Sequence, residues 1–484
     1  MQLSALLHKS HSFQTARSRA TGSSPIHRGS CPYQHVSGAG CLPSKPEEQR
    51  GDDHLIFPAP LVAIATALRS GQLDLLDYID ETCNRIETTE PLVQALLPEP
   101  ERRARLKKDA AVLQARFPRS ADRPPLYGIL IGVKDTFRVD GFPTQAGSQL
   151  PPELFTGPEA PCISMLRAAG ALILGKTVTT EFAYFEPGPT HNPHNLAHTP
   201  GGSSSGSVAA VAAGYCPLAL GTQVIGSTIR PAAYCGIVGF KPSYGRISTE
   251  GLIKCADSVE HVGYFAQDVP GIAFAAPLLC SEWHEVKVET LPILGVPEGP
   301  YLAQASEEAI AAFERQLTLL QKAGYTVRRV KALSNIEEIN RSHTRMVFAE
   351  MAQVHHTWFA QYESLYRPRT AAALREGQTV TEEEHAAARA GRAMLRDELE
   401  LSMRQNRIDL WVCPATTGPA PEGLESTGSP LMNLPWTYTG LPAITVPAGR
   451  AANGLPQGFQ CVGAMMSDEY LLACAAPIAK IWAH

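Results

Sequence analysis

The sequence predicts an α/β protein in which helices alternate with buried strands. Two short apolar runs, residues 129–133 and 171–174, indicate strands of a buried sheet. A helical pattern over residues 161–169 directly precedes the second run, and an amphipathic pattern over residues 306–324 precedes a further run at 325–330. This order of helix and then strand is typical of a layered α/β core.

The other elements are predicted from the same periodicities. Leu61, Ile64 and Leu68 share one face of a first helix, which Gly71 ends. Ser306 is the expected N-cap of the helix at 306–324. Further helices are predicted over residues 73–88, 101–116, 346–358 and 382–405, and further strands over residues 410–414, 443–446 and 458–462.

Residues 1–54 differ in composition from the rest of the chain. They are rich in Ser, His, Arg and Gly, contain no acidic residue before Glu47 and show little apolar periodicity. Such a segment cannot bury enough surface to offset its conformational entropy. We therefore predict a disordered N-terminal extension over residues 1–54 and one folded domain over residues 55–484.

Composition and charge limit the classes of function. The net charge is −5 without a long run of one sign, which gives no indication of binding to nucleic acid or to a membrane. The 11 cysteines never form C-x-x-C, so we expect a reducing compartment, the cytoplasm, rather than a disulfide framework. No window reaches the ~18 apolar residues of a transmembrane helix. The nearest run, residues 208–220, is interpreted as a buried core helix.

Chemistry-bearing residues concentrate in the Gly/Ser-rich stretch 199–243, which holds Ser203 and Ser227, 24 positions apart. Glycine lets backbone N–H groups approach a ligand, and a serine hydroxyl can act as nucleophile or proton shuttle. Residues 202–206 formally fit G-x-S-x-G, but the turn-forming run before them cannot be the strand that a nucleophile elbow requires. Two interpretations of this stretch therefore remain: a loop that only connects elements, or a site formed by backbone amides and serine hydroxyls.

Several spaced motifs carry a family resemblance. The runs GILIGVKD (128–135), GGSSSGS (201–207), GSTIRPA (226–232) and GFKPSYG (239–245) follow one another, and NLPWTYTGLPAITVPAG (433–449) lies near the C-terminus. In this order they resemble the amidase signature family, over a match that extends from about residue 61 to the C-terminus. The resemblance implies the amidase signature fold, an α/β fold with a large mixed β-sheet core covered by helices on both sides.

The resemblance also implies a catalytic triad of the Ser–cis-Ser–Lys type. At the matching positions Lys134 would be the base, Ser203 the cis bridging serine and Ser227 the nucleophile. Such a site hydrolyses the C–N bond of small or aryl/acyl amides, or of carbamates, through a serine acyl-enzyme and requires neither cofactor nor metal. The lysine can be a base only if burial or a neighbouring charge lowers its pKa from ~10.4 towards neutrality.

The segment before Ser227 is the expected oxyanion hole, formed by the backbone N–H groups of Val224, Ile225, Gly226 and Ser227. The sequence departs here from the family pattern, since Gln-Val-Ile-Gly stands where Asp-Thr-Gly-Gly or Asp-Thr-Ala-Gly is usual. A β-branched Ile225 narrows the pocket and restricts the backbone. We therefore expect a substrate range that differs from that of well-known relatives.

Three further groups are weighed as site residues. Phe182 or its neighbours are expected to touch substrate, with a packed aromatic as the alternative, and Ser204 is a second substrate-binding candidate. Arg230 matches the family's arginine and is expected to hold its loop by ion pairing. The histidines at 191, 194 and 198 are interpreted as loop residues and not as metal ligands, because the intervening Asn-Pro and Thr-Pro dipeptides break helical spacing.

Two classes of activity remain open from the sequence. The first is a stand-alone amidase, monomer or homodimer, acting on a small-molecule amide or carbamate. The second is the glutaminase component of a tRNA-dependent amidotransferase, which works with a partner. A non-catalytic family member is a third class, indicated only by the departure at Ile225.

Overall fold

The computed structural model of the protein describes residues 52–482, which contain 14 α-helices and ten β-strands. The helices are α1 Leu61–Ser70, α2 Leu75–Val93, α3 Arg102–Arg116, α4 Pro161–Ala168, α5 Ser205–Ala212, α6 Ile229–Tyr234, α7 Val269–Leu279, α8 Glu307–Lys322, α9 Ile336–Val354, α10 His356–Tyr362, α11 Pro368–Gly377, α12 Glu382–Asn406, α13 Leu434–Tyr438 and α14 Asp468–Lys480. The strands are β1 Leu130–Lys134, β2 Leu172–Thr177, β3 Leu218–Gln223, β4 Val238–Lys241, β5 His261–Ala266, β6 Leu294–Glu298, β7 Val327–Lys331, β8 Leu410–Pro414, β9 Ala443–Arg450 and β10 Pro456–Val462.

All ten strands form one mixed sheet in the order β2-β1-β3-β5-β4-β9-β10-β8-β6-β7. Strand β1 runs parallel to β2 and β3, and β6 runs parallel to β7 and β8. The five pairings between these two groups are antiparallel. The predicted α/β fold with a large mixed sheet is therefore confirmed.

Helices cover both faces of this sheet. Along β8, Leu410 and Val412 belong to one hydrophobic core, whereas Trp411 and Cys413 belong to a second core. Because successive side chains of a strand point to opposite faces, the two cores lie on opposite sides of the sheet. Helices α9, α11, α12 and α13 contribute apolar side chains to the second core.

Most predicted elements are confirmed, with shifted ends. The cap at Ser306 is present, since its Oγ accepts a hydrogen bond from the N–H of Ala309. The predicted core helix at 208–220 is wrong in its second half: α5 ends at Ala212 and β3 begins at Leu218. Gly214 lies between them at φ +71°, and a Cβ there would meet the Phe57 side chain at 2.8 Å. The chain therefore turns at this point instead of continuing as a helix.

The predicted N-terminal extension lies outside the described residues, apart from its last few. There Asp52–Leu55 forms a 3₁₀ helix, and Leu55 is buried. Among the described helices, none is both long enough and apolar enough to span a bilayer.

Candidate active site

The site is built at the end of β1, where the strand delivers Lys134. Strand β1 lies between β2 and β3, all five of its residues are buried, and Lys134 is 0% exposed. The Lys134 Nζ donates hydrogen bonds to Ser203 Oγ at 2.7 Å and to Thr222 Oγ1 at 2.8 Å. A lysine that ends a strand is thus aimed at two hydroxyl groups and not at solvent.

Ser203 lies on the loop that leads into α5. The Gly202–Ser203 peptide bond is cis, as the family resemblance implies. Arg230 Nη2 donates to the Gly202 carbonyl at 2.7 Å, and the N–H of Thr180 donates to the Ser203 carbonyl at 3.2 Å. A Cβ at position 202 would meet Thr427 Cγ2 at 2.7 Å, so the close packing of this loop requires glycine there.

Ser227 lies on the tight turn between β3 and α6. A Cβ on the preceding Gly226 would meet Asn433 Oδ1 at 2.5 Å, which explains the glycine before the serine. Gln223 Oε1 accepts from the N–H groups of Thr228 at 2.7 Å and Ile229 at 3.0 Å. This side chain therefore holds the turn from inside, and Ser227 is left 7% exposed.

Both serines line one small cavity of about 10 Å³, which is room for about one water molecule. Its lining residues are Ala183, Tyr184, Phe185, Ser203, Val224, Ile225, Gly226, Ser227, Arg230, Cys255 and Val347. In the described part of the chain, the N–H groups of Ile225, Gly226 and Ser227 donate to no protein acceptor. The cavity therefore joins two hydroxyls to a set of free backbone donors, the parts an acyl-transfer site needs.

Burial sets the electrostatics of the lysine. Loss of solvent lowers the pKa of Lys134 from 10.5 to about 7, and the nearby Glu260 carboxylate opposes this shift. Burial raises the pKa of Glu260, and backbone N–H groups and Lys134 oppose that rise. A lysine with a pKa near 7 is neutral in a large fraction of molecules at neutral pH, as a general base must be.

The structure places two predicted substrate-binding residues outside the cavity. Phe182 is 0% exposed and packs edge-on against the rings of His355 and Phe155, with centroid distances of 4.4 and 5.9 Å. Its neighbours in sequence, from Ala183 on, line the cavity instead. Ser204 is fully buried, and its Oγ donates to the Thr222 carbonyl at 3.3 Å, so it braces the loop against β3.

Arg230 lines the cavity but holds its loop in a way that differs from the expectation. It forms no ion pair with a described residue, and its guanidinium donates to the Gly202 carbonyl and to Thr427 Oγ1. The three loop histidines each place a ring nitrogen against a backbone carbonyl, those of Leu196, Cys235 and Ala420. Within residues 52–482, no cluster of three or more His, Cys, Asp or Glu side chains could hold a metal ion.

Several site residues were not found by sequence reasoning. Thr222 accepts a hydrogen bond from Lys134, the Glu260 carboxylate raises the pKa of Lys134 against burial, and Cys255 and Val347 line the cavity. A sequence signal existed for Glu260, an acid directly before the apolar strand run of β5. Val347 had no such signal, because it reaches the site only through the packing of α9.

A larger cavity of about 700 Å³ lies elsewhere on the described chain. It is lined by α2 residues such as Glu90, by Arg102 and by Asp135, the residue after Lys134. None of the three triad candidates lines it, so the chemistry described above belongs to the small cavity.

Comparison with known proteins agrees with this geometry. The family model described as Amidase matches residues 77–472. The A-type subunit of glutamyl-tRNA(Gln) amidotransferase from Synechococcus sp. (strain WH7803) is 30% identical over 461 residues, which cover 84% of this chain and 94% of the relative. Its counterpart from Roseiflexus castenholzii (strain DSM 13941 / HLO8) is 29% identical over 460 residues, 84% of this chain and 92% of the relative.

A solved amidase structure gives the corresponding result in three dimensions. It superposes with a TM-score of 0.79 at 31% identity and covers 86% of this chain and 98% of that chain. The family match spans far more than half of the sequence and includes the strand, both serines and the sheet that positions them. The chain therefore belongs to the amidase signature family and is a hydrolase of carbon–nitrogen bonds.

Proposed function

We propose that the protein hydrolyses small or aryl/acyl amides, and carbamates with the same carbonyl geometry, through an acyl-enzyme on Ser227. One observation carries the proposal: a buried lysine with a pKa lowered to about 7 donates at 2.7 Å to Ser203 Oγ, beside the cavity that Ser203 and Ser227 both line. A general base near neutrality joined to a relay hydroxyl supports serine nucleophilic catalysis.

In the proposed acylation, neutral Lys134 takes the proton of Ser203 as Ser203 takes the proton of Ser227. The Ser227 oxygen forms a bond to the substrate carbonyl carbon, and the carbonyl oxygen becomes an oxyanion. The N–H groups of Ile225, Gly226 and Ser227 would hold that oxyanion, since they donate to no described protein acceptor. The proton then returns along the relay to the leaving nitrogen as the C–N bond breaks.

Deacylation repeats the relay with water in place of Ser227. Water gives its proton to Ser203, Ser203 gives its own to Lys134, and the new hydroxyl oxygen attacks the ester carbonyl. When the ester bond breaks, the proton returns to Ser227 and the carboxylic acid leaves. For a carbamate, the acid product is either carbamic or a carbonic half-ester, according to which bond of the carbonyl breaks.

The lining of the cavity favours an apolar group next to the reacting carbonyl. No carboxylate lines it in the described part of the chain, and the cavity has room for about one water molecule, so the rest of a substrate would lie outside it. The lining is largely apolar, with Tyr184, Phe185, Val224, Ile225 and Val347. The glutaminase remains the second candidate because curated amidotransferase components are 29–30% identical over most of this chain.

The first experiment is covalent labelling of folded protein with a fluorophosphonate probe, followed by peptide mass spectrometry. The expected adduct lies on Ser227 and is absent from Ser227→Ala. Ser164→Ala, an exposed serine of α4 whose Oγ donates to Glu159, is the matched control and should label like the wild type. An adduct on Ser204 or on no serine would overturn the assignment.

A second experiment separates the two activities. The purified chain is assayed against glutamine, a short aliphatic amide, an anilide and an aryl carbamate. We expect turnover of one or more of the last three without any added protein. Glutamine hydrolysis alone, and only in the presence of an amidotransferase partner protein, would contradict the stand-alone function.

The organisation of the chain is part of the proposal. We propose that residues 1–54 are an extension outside a catalytic domain of residues 55–484, and that the protein is a cytoplasmic monomer or homodimer. The nine cysteines of the described residues are free thiols, all buried, which supports a reducing compartment. Removal of residues 1–51 should leave the melting temperature and amidase activity nearly unchanged, and insoluble protein would show that the extension docks on the fold.

A further inference from the structure

One buried carboxylate near the triad has no role in the mechanism above. Glu260 directly precedes β5 and is 2% exposed. Its Oε2 accepts a hydrogen bond from the N–H of Cys255 at 3.0 Å. A carboxylate so deeply buried is costly unless it has charged or hydrogen-bonded partners. A nearby positive charge would therefore stabilise the ionised form of Glu260.

The register of the sheet places Glu260 in line with the lysine. In the antiparallel pair of β3 and β5, Thr222 lies opposite Val262, so Glu260 is the diagonal neighbour of Thr222 on the same face. Strand β1 lies on the other side of β3, and from it Lys134 Nζ donates a hydrogen bond to Thr222 Oγ1 at 2.8 Å. The other oxygen of the Glu260 carboxylate, Oε1, is buried and accepts no hydrogen bond from a described residue. Lys134, Thr222 and Glu260 thus form a row across β1, β3 and β5.

We propose that Glu260 is a positioning residue for this reaction: its carboxylate balances the ammonium form of Lys134 after the lysine has taken the proton from Ser203, and Thr222 lies between the two side chains. The proposal rests on the amidase function proposed above. Each acylation places a positive charge on a lysine without solvent contact, and a nearby negative charge lowers the free energy of that state. Without it, Lys134 would be a weaker base.

The other charged groups around the lysine do not replace Glu260. The Cys255 thiol faces both groups, but burial raises its pKa well above 9, so it carries no charge at neutral pH. Arg230 lines the same cavity with a positive charge, which opposes an ammonium. Asp135 follows Lys134 on the chain but is paired with Lys176 at 2.7 Å. Glu260 is the carboxylate whose charge raises the pKa of Lys134 against burial.

The test is the pH profile of fluorophosphonate labelling and of kcat/KM in Glu260→Gln. Loss of the charge should move the acid-side midpoint to lower pH by about one unit, since an opposite charge at such range shifts a pKa by about 1–3 units. The plateau should fall about tenfold, because a weaker base transfers protons less well. Glu260→Asp keeps the charge and should keep the midpoint, even where its plateau is lower.

A second buried carboxylate of the same protein provides the control. Glu350→Gln changes another buried carboxylate, which contacts Ser258 and His385 and not the lysine, and should leave the midpoint unmoved. If Glu260→Gln lowers the plateau at an unchanged midpoint, the residue is only structural and the proposal fails. If the wild type does not label at Ser227, the proposed function itself fails.

A second pair of variants covers misfolding of Glu260→Gln. Thr222→Val removes, at nearly constant volume, the hydroxyl that accepts a hydrogen bond from Lys134, and it should also lower the midpoint, whereas Thr222→Ser should keep the midpoint of the wild type. Equal midpoints in the two Thr222 variants would contradict the role of the row from Lys134 to Glu260.

Discussion

Gln223 and Thr437 are joined by a hydrogen bond from Gln223 Nε2 to Thr437 Oγ1 at 2.9 Å. The Thr437 hydroxyl in turn donates to the Ile225 carbonyl at 2.6 Å. At the other end of the same side chain, Gln223 Oε1 accepts from two N–H groups at the start of α6. The glutamine that replaces the family's aspartate therefore holds the turn before Ser227 from both sides.

This network makes Gln223 testable. Gln223→Met removes both the donor and the acceptor of this side chain and should leave two buried N–H groups unpaired. Each unpaired group should lower the free energy of unfolding by about 1–3 kcal/mol. Because the turn before Ser227 is then less firmly held, kcat should fall about tenfold or more. Gln223→Glu keeps the acceptor but not the donor and should be milder in both kcat and melting temperature. Gln316→Met, at a buried glutamine bonded to the Ala448 carbonyl, should lower stability alone. Unchanged kcat in both Gln223 variants would contradict the role.

The triad should behave as one unit. Lys134→Ala and Ser203→Ala each break the relay that the 2.7 Å hydrogen bond forms. The double variant should therefore lose far less activity than the product of the two single losses, because residues of one relay are non-additive. Additive losses in labelling rate would show that the two side chains act separately.

Lys134→Arg is a separate test of the base. Arginine stays protonated at all accessible pH values and cannot take the proton of Ser203. The variant should be as inactive as Lys134→Ala, measured by kcat/KM on the best amide of the panel. An active Lys134→Arg would contradict the role of a neutral lysine.

The sequence predicted the parts of the fold that depend on local pattern. Helix α8 is amphipathic with a serine cap, and β8 is a short apolar run, so both were located closely. The ends of α2 and the split of residues 208–220 were missed, because they depend on contacts far away in the chain, such as that of Gly214 with Phe57. Tertiary packing decides such positions, and a single sequence does not show it.

For the site as well, motifs in the sequence predicted some residues, whereas the direction of other side chains depends on the fold. The resemblance predicted Lys134, Ser203 and Ser227 as the triad, since they stand in spaced motifs that the family shares, and the structure brings Lys134 to Ser203 and both serines to one cavity. Phe182 or its neighbours were expected to touch substrate, with a packed aromatic as the alternative; the Phe182 ring packs against His355, whereas the next three residues line the cavity. Whether a side chain on such a loop faces the cavity depends on backbone angles, and Phe182 has φ 48°. No periodicity in the sequence encodes that turn.

Buried Lys134 should make stability depend on pH. Its pKa is about 7 in the folded protein and 10.5 ordinarily, so between these values the unfolded chain binds more protons. The free energy of unfolding therefore rises with pH across this window, by up to about 1.4 kcal/mol per pH unit for this group. Lys134→Met removes that contribution, so the melting-temperature difference between wild type and variant should move in favour of the wild type from about pH 7 to about pH 10. Parallel curves would show that Lys134 is not neutral when folded.

Ile225 should restrict substrates that are crowded near the carbonyl. It is half-buried and lines the cavity next to the free N–H groups. Ile225→Gly should widen the accepted range, with some loss of stability because glycine loosens the turn. Ile229→Ala is the control, since Ile229 is fully buried in the core and should lower the melting temperature without changing the ratio of kcat/KM between substrates. An unchanged profile in Ile225→Gly would mean that the side chain does not contact substrate.

Substitutions of Tyr184 should affect substrate recognition, whereas substitutions of Phe182 should affect the packing of the core. Tyr184 lines the cavity, whereas Phe182 lies behind it against His355 and Tyr366. Phe182→Ala should lower the free energy of unfolding by about 3–5 kcal/mol, as for other buried aromatics, and Phe182→Leu by less. Neither should change the ratio of kcat/KM between an aliphatic amide and an anilide. Tyr184→Ala should change that ratio severalfold with a smaller effect on the melting temperature, and the reverse outcome would return Phe182 to the substrate pocket.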